Sequence, residues 1–137
     1  MLQTSREDAT DRKISVLLVE PDPQVAQLLL LLLAASDAPP HRFEPVCVED
    51  IEAGLRSVAR GSRIDAVLLG LTLNGGGALD GLKTLRRQAP HAPIVALVAP
   101  GAEERGREAV KLGAKGFQVR GRLNSDALKR ALSRCCS

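Results

Sequence analysis

Two acidic residues, Glu20 and Asp22, flank Pro21 directly after a short apolar run. Such a pair is suited to Mg²⁺, which binds one or two carboxylates and keeps several of its waters. A plainer interpretation is that Asp22 caps a helix beginning at Pro23 and that Glu20 is a solvated acid. We expect the plainer interpretation, so no cofactor is predicted, and Glu20 and Asp22 remain only weak candidates for a metal.

Few other residues have the spacing that catalysis requires. The glycine-rich segment 74–77 lacks the patterns of a phosphate-binding loop and is expected to be a flexible loop. The histidines, His41 and His91, lie beside prolines, and no serine occupies a nucleophile elbow. The cysteines show no metal-ligand spacing, and Cys47 is expected in the core. These patterns predict a protein that is not an enzyme.

The candidate residues follow apolar runs that alternate with helical patterns. Strands are predicted at 14–19, 45–48, 64–69, 94–98 and 115–119, and helices begin near 23, 51, 79, 102 and 124. This alternation is typical of an α/β fold, in which helices cover both faces of a parallel sheet. The working site of such a sheet lies beyond the carboxyl ends of its strands.

The first predicted helix is unusually rich in leucine. Its inward face is expected to consist of Val25, Leu28, Leu29, Leu32 and Leu33, with Leu30 and Leu31 turned to the flank or to solvent.

Composition limits the class of protein further. The 137 residues are 45% hydrophobic and 26% charged, as in one globular domain. Residues 1–12 are expected to be a disordered tail and residues 13–137 a single domain. With two aromatic residues in the chain, base stacking on nucleic acid is not expected. Residues 1–70 carry 7 basic and 11 acidic groups, whereas residues 71–137 carry 12 basic and 5 acidic groups.

The sequence also bears on the compartment of the protein. Its longest apolar run, 28–35, is far shorter than the roughly 20 residues of a membrane span. The first residues carry acids and no apolar stretch, unlike a signal peptide. A cytoplasmic protein without membrane contact is therefore expected.

Three segments resemble the receiver domain of bacterial two-component response regulators. They are ISVLLVEPDPQVAQLL, IDAVLLGLTLNGGGALDGLKTLRRQAPHAPIVALVA and AVKLGAKGFQVRGRL, and the likeness runs from Ile14 to Leu132. The resemblance implies a flavodoxin-like (βα)5 doubly wound parallel sheet with strand order 2-1-3-4-5. In that family a histidine kinase supplies a phosphoryl group to an Asp at the end of the third strand, beside a Mg²⁺ ion held by acids after the first.

The sequence departs from the family pattern where the chemistry takes place. The acceptor position is Gly70, the second acidic position is Pro21, and the hydroxyl position is Val98. Phosphoryl transfer needs a nucleophile, a metal and a cation aimed at the developing charge. The resemblance therefore implies a degenerate phosphorylation pocket, or pseudo-receiver, whose residues are Glu20, Pro21, Asp22, Gly70, Val98, Ala99 and Arg120, with Arg120 at the lysine position.

The expected function is a phosphorylation-independent signalling module that acts by protein contact, as the N-terminal regulatory part of a longer regulator. Its partner would be another protein or an output domain, and a homodimer is possible through the fourth helix, fifth strand and fifth helix. Nucleic acid is not an expected partner. The alternative is a small-molecule or nucleotide sensor that uses the vacated pocket. The basic residues of the expected contact face are Arg105, Lys111, Arg120, Arg122 and Lys129.

Arg120 is further expected to turn toward Glu20 or Asp22, because the guanidinium fork suits a carboxylate. Distance opposes this, since the first and fifth strands are three steps apart, about 14 Å at ~4.8 Å per step. The other outcome is an Arg120 side chain extended into solvent. At a wet surface the ion pair would contribute no more than about 1 kcal/mol.

Overall fold

The computed structural model describes residues 12–34, 41–71 and 76–136. Within these residues, five strands and five α-helices alternate. The strands are β1 (Arg12–Val19), β2 (His41–Val48), β3 (Ala66–Gly70), β4 (Ile94–Val98) and β5 (Gly116–Val119). The helices are α1 (Pro23–Ala34), α2 (Ile51–Ala59), α3 (Gly76–Gln88), α4 (Glu103–Lys111) and α5 (Ser125–Cys136). A single 3₁₀ turn, Arg120–Arg122, leads from β5 toward α5.

The strands form one parallel sheet in the order β2-β1-β3-β4-β5, which confirms the predicted flavodoxin-like fold. Every residue of β3 and β4 is buried, which explains why both strands read as continuous apolar runs. β2 and β5 are the edge strands. Pro45 is tolerated in β2 because an edge strand has one side on which no ladder hydrogen bond is needed.

Two apolar layers enclose the sheet. Side chains of α1 and α5 pack on one face and those of α2, α3 and α4 on the other. Leu29, Leu33, Leu128 and Leu132 meet Leu18 and Leu68 in the first layer. In the second layer Leu82 and Leu85 of α3 and Ala109 of α4 meet Leu17, Leu69 and Val98.

Some predicted boundaries were wrong. β2 begins at His41, not at residue 45, because its pairing with β1 extends from Arg12↔His41 to Val19↔Val48. β1 also takes up residue 12 of the predicted tail, while residues 1–11 lie outside the described part of the chain. Residues 76 and 77, predicted in a glycine loop, begin α3, and residues 74–75 are not described.

The inward face of α1 is narrower than its leucines suggest. Ala26, Leu29 and Leu33 are buried, at the spacing of one helical stripe. Leu28 was predicted to point inward but is 46% exposed, and Leu31 is 60% exposed as expected.

Within the described ranges, no helix has the length and apolar character to cross a membrane.

Gly106 lies within α4 and allows the Phe117 ring of β5 to pack against the helix backbone. A Cβ at this position would lie 2.8 Å from Phe117 Cδ1 and closer still to Cγ and Cδ2. Helix propensity alone favours Ala by about 1 kcal/mol, but the Phe117 ring would have to shift to admit the Cβ. We therefore expect Gly106→Ala to lower the free energy of unfolding by about 1–3 kcal/mol in a denaturant titration.

Gly116→Ala is the matched control, because a Cβ there meets no atom within 4 Å. We expect this variant to be within about 1 kcal/mol of the parent. A Gly106→Ala protein more stable than the parent would contradict the packing argument.

Candidate functional site

The carboxyl ends of the strands bring the predicted pocket residues to one edge of the sheet. Glu20 follows β1, and its backbone N–H still donates to the carbonyl of Val48 at 3.1 Å. Gly70 at the end of β3 is in register with Leu97, and Val98 at the end of β4 is in register with Val119. Arg120 follows directly, in the 3₁₀ turn after β5.

Glu20 and Arg120 form an ion pair across this edge. Nη2 of Arg120 donates to Oε1 of Glu20 at 3.1 Å and to Oε2 at 3.2 Å, although the two residues are 100 positions apart in sequence. The prediction that Arg120 turns toward an acid of the pocket is therefore confirmed for Glu20. The two side chains together span the gap between the first and fifth strands.

Burial sets this ion pair apart from a surface pair. The Glu20 side chain is completely buried, and that of Arg120 is 23% exposed. Oε2 of Glu20 also accepts a hydrogen bond from the backbone N–H of Asp22 at 3.0 Å. The stabilisation of no more than about 1 kcal/mol expected from the sequence applied to a solvated ion pair. For a buried pair, loss of one partner leaves an uncompensated charge and is much more destabilising.

Gly70 makes room for the Glu20 carboxylate. A Cβ at residue 70 would overlap Oε1 of Glu20 and lie 3.0 Å from its Cδ. Glu20 therefore occupies the space into which a side chain at position 70 would project. The space expected to be vacated is filled, and glycine is the residue that permits it.

The Mg²⁺ ion implied by the resemblance does not fit these residues. Both oxygens of Glu20 are bonded to the Arg120 guanidinium, whose positive charge repels a cation. Asp22 is exposed, and its Oδ1 caps α1 by accepting from the N–H of Gln24 at 2.9 Å. Pro21 and Gly70 have no oxygen in their side chains. In the described residues, no group of three or more His, Cys, Asp or Glu side chains is placed to hold a metal.

The remaining pocket positions supply no reactive group. Val98 is fully buried in the apolar layer beneath α2, α3 and α4, and Ala99 is half-buried. Asp65 lies before β3, at the opposite edge of the sheet, where its Oδ2 accepts from the N–H of Ser15 at 2.9 Å. Asp80 is exposed on α3. Neither of these two acids takes the place of the missing acceptor.

Cys47 is not in the core, contrary to expectation, because β2 is an edge strand and leaves this side chain exposed. Partial burial against the sheet raises the pKa of the thiol, and the negative charges of Glu20 and Glu49 raise this pKa further. The thiolate is therefore disfavoured at neutral pH. Since the thiolate is the nucleophilic form, Cys47 lacks the setting of a reactive cysteine.

The basic residues of the expected contact face have different surroundings. Arg120 is committed to the ion pair with Glu20, while Lys111 and Arg122 are exposed and Arg105 is half-buried. The Nζ atom of Lys129 lies 5.9 Å from the centroid of the Phe43 ring, which is on β2 at the other edge of the sheet.

A further set of basic residues was missed by the sequence analysis. Lys83, Arg86 and Arg87 on α3 line a groove with Leu112, which follows α4. The sequence feature that could have indicated these residues is the composition of the second half of the chain, which has 12 basic and 5 acidic residues.

Comparison with known proteins identifies the fold. No protein-family model matches the chain, and no curated protein matches it significantly. The receiver domain of Francisella response regulator 1452 is 18% identical, with a TM-score of 0.72 over 89% of this chain and 95% of that one. A putative response regulator from Chloroflexus aurantiacus is 20% identical, with a TM-score of 0.77 over 91% of this chain and 98% of that one.

NtrX from Brucella abortus is a longer protein with the same fold in one part. It is 22% identical, with a TM-score of 0.73 over 89% of this chain and 26% of that one. These likenesses show that the chain has the fold of response-regulator receiver domains.

Proposed function

We propose that this protein is a pseudo-receiver, a cytoplasmic two-component signalling module that acts by protein contact without being phosphorylated. The observation that carries the proposal is the place of the Glu20 carboxylate. It lies where a side chain at position 70 would project, and it is bonded to Arg120. The position at which a receiver accepts a phosphoryl group is thus occupied by the side chain of Glu20.

The geometry argues against phosphoryl transfer at each of its requirements. Gly70 offers no nucleophile, and the residues around it do not suit a divalent metal. The cation that should stabilise the transferring group is instead neutralised by Glu20. Because this chemistry depends almost entirely on positioned charges around a nucleophile, the loss of all three leaves no route to it. We therefore propose that the protein has no enzymatic activity of its own.

A signalling module that is not phosphorylated can still bind other proteins through its surface. The sheet and both apolar layers of the receiver fold are complete in this chain. In NtrX the matched region is 26% of the chain, so in that protein the fold is one part of a longer polypeptide. We propose that this domain likewise contacts an output domain or a partner protein. Since Glu20 fills the pocket, a ligand sensor using that space is not proposed.

Incubation with Mg²⁺ and acetyl phosphate tests the proposal. We expect the intact mass to remain unchanged, because position 70 carries no carboxylate. A receiver domain that retains its acceptor Asp, treated in parallel, is the positive control. A gain of one phosphoryl group, mapped by peptide mass spectrometry to a residue at the carboxyl ends of the strands, would overturn the proposal.

A further inference from the structure

The structure contains a concave basic surface away from the Glu20–Arg120 pair. A groove of about 630 Å³ between α3 and the end of α4 is lined by Asp80, Lys83, Thr84, Arg86, Arg87 and Leu112. A smaller cavity of about 280 Å³ continues from it toward His91, Gly113 and Lys115, and Arg86 lines both. The two together are called the basic groove below.

Local sequence explains how this surface is built. Lys83, Arg86 and Arg87 are spaced three and four residues apart, which places them on one face of α3. Gly113 follows α4 with a φ of 117°, and a Cβ there would overlap the guanidinium of Arg86. Arg86 can therefore lie across this glycine, where its Nη1 donates to the carbonyl of Leu112 at 3.5 Å. This contact connects the two parts of the basic groove.

The positive charge of the basic groove is not compensated. It contains four Lys and Arg side chains, Lys83, Arg86, Arg87 and Lys115, against the single acid Asp80. In the described part of the chain, none of the four lies within salt-bridge distance of a carboxylate. The guanidinium of Arg87 donates instead to Thr84 Oγ1, at 3.4 Å. Among the described residues, Arg86 and Arg87 contact only neutral oxygens, so the charges of the four groups can be met by an external anion.

We propose that the basic groove binds an acidic segment of a partner protein. Arginine guanidiniums donate two parallel hydrogen bonds to a carboxylate, and clusters of arginines are a recurring means of recognising acidic motifs. The half-buried Leu112 adds an apolar contact that a peptide side chain can use. Nucleic acid fits less well, because no Phe, Tyr or Trp side chain lines the groove for base stacking. This inference rests on the proposed function, because it names the surface through which the pseudo-receiver would contact a partner protein.

The test measures fluorescence anisotropy of a labelled twelve-residue peptide of glutamates and leucines at low salt. The variant is Lys83→Glu with Arg87→Glu in the full chain, because both side chains are exposed. Arg56→Glu with Arg60→Glu is the matched control, since these residues are also exposed and lie on α2 and directly after it. Each pair of substitutions changes the net charge from +3 to −1, by twice −2.

We expect the groove variant to bind the peptide at least about tenfold more weakly and the control variant less than about twofold more weakly than the parent. Thermal unfolding shows whether both variants are folded. Should the groove variant prove unstable, Lys83→Ala with Lys115→Ala replaces it and is expected to show a smaller loss in the same direction.

Equal losses in the two variants, or no peptide binding by the parent, would overturn the proposal. Tighter binding of single-stranded DNA of equal charge, lost in the groove variant, would reassign the surface to nucleic acid and overturn it too. The acetyl phosphate experiment is separate. If the peptide fails to bind, the proposal that the domain is not phosphorylated is unaffected. If the domain is phosphorylated, the result of the peptide experiment is unaffected.

Discussion

Replacing Arg120 with methionine will lower the free energy of unfolding by about 3 kcal/mol, because it leaves a buried carboxylate without its cation. Breaking a buried pair by removing one partner costs about 3–5 kcal/mol in other proteins. We place this variant at the lower end, since Arg120 is 23% exposed and water can enter its space. For a domain of this size the loss corresponds to a fall in Tm of roughly 10 °C.

A double-mutant cycle separates the ion pair from the packing of the arginine stem. Glu20→Gln removes the buried charge, so Glu20→Gln with Arg120→Met is expected to be more stable than Arg120→Met alone. The control is Arg107→Met. Its partner Glu104 is 77% exposed, and we expect a change of no more than about 0.5 kcal/mol. If Arg120→Met changed stability as little as Arg107→Met, the buried pair would contribute no more than a surface one.

Gly70→Asp will not restore phosphorylation. It will instead lower the free energy of unfolding by about 3 kcal/mol or more, because the new side chain overlaps Glu20 and the two negative charges repel each other. The new side chain would collide with Oε1 of Glu20 and place two carboxylates side by side. The variant should also remain unmodified by acetyl phosphate, because Pro21 and Val98 are unchanged. Denaturant unfolding and intact mass measure the two effects.

Glu20→Ala provides the compensating change. Combined with Gly70→Asp, it removes the collision and leaves a single carboxylate near Arg120. We expect the double variant to be more stable than Gly70→Asp alone, because the new aspartate takes the place of Glu20 opposite the guanidinium. A Gly70→Asp protein as stable as the parent would show that Glu20 moves aside easily. The position of Glu20 would then not limit which residue can occupy position 70.

The strand ends were predictable because strands buried on both faces read as uninterrupted apolar runs. The prediction for β4 matches the structure at residues 94–98, and the residues that follow each strand do gather at one edge. Residue types also predicted that Arg120 would bind an acid. Its burial was not predictable, because it depends on Glu20 reaching the space above Gly70, which only the assembled sheet creates.

The remaining errors also concern tertiary contacts. Leu28 lies at the edge of a leucine-rich stripe, and only the width of the contact between α1 and the sheet decides that it is exposed. Cys47 has the apolar neighbours of a core residue but belongs to an edge strand. The basic groove joins residues of α3 to residues that follow α4, so no single segment of sequence contains it.

The ion pair joins the end of β1 to the turn after β5 without any covalent change. A partner that had to separate Glu20 from Arg120 in order to bind would lose roughly 100-fold in affinity if separation costs about 3 kcal/mol. A partner that recognises the paired arrangement loses nothing. The paired arrangement therefore favours partners that bind the domain without a conformational change at this edge of the sheet.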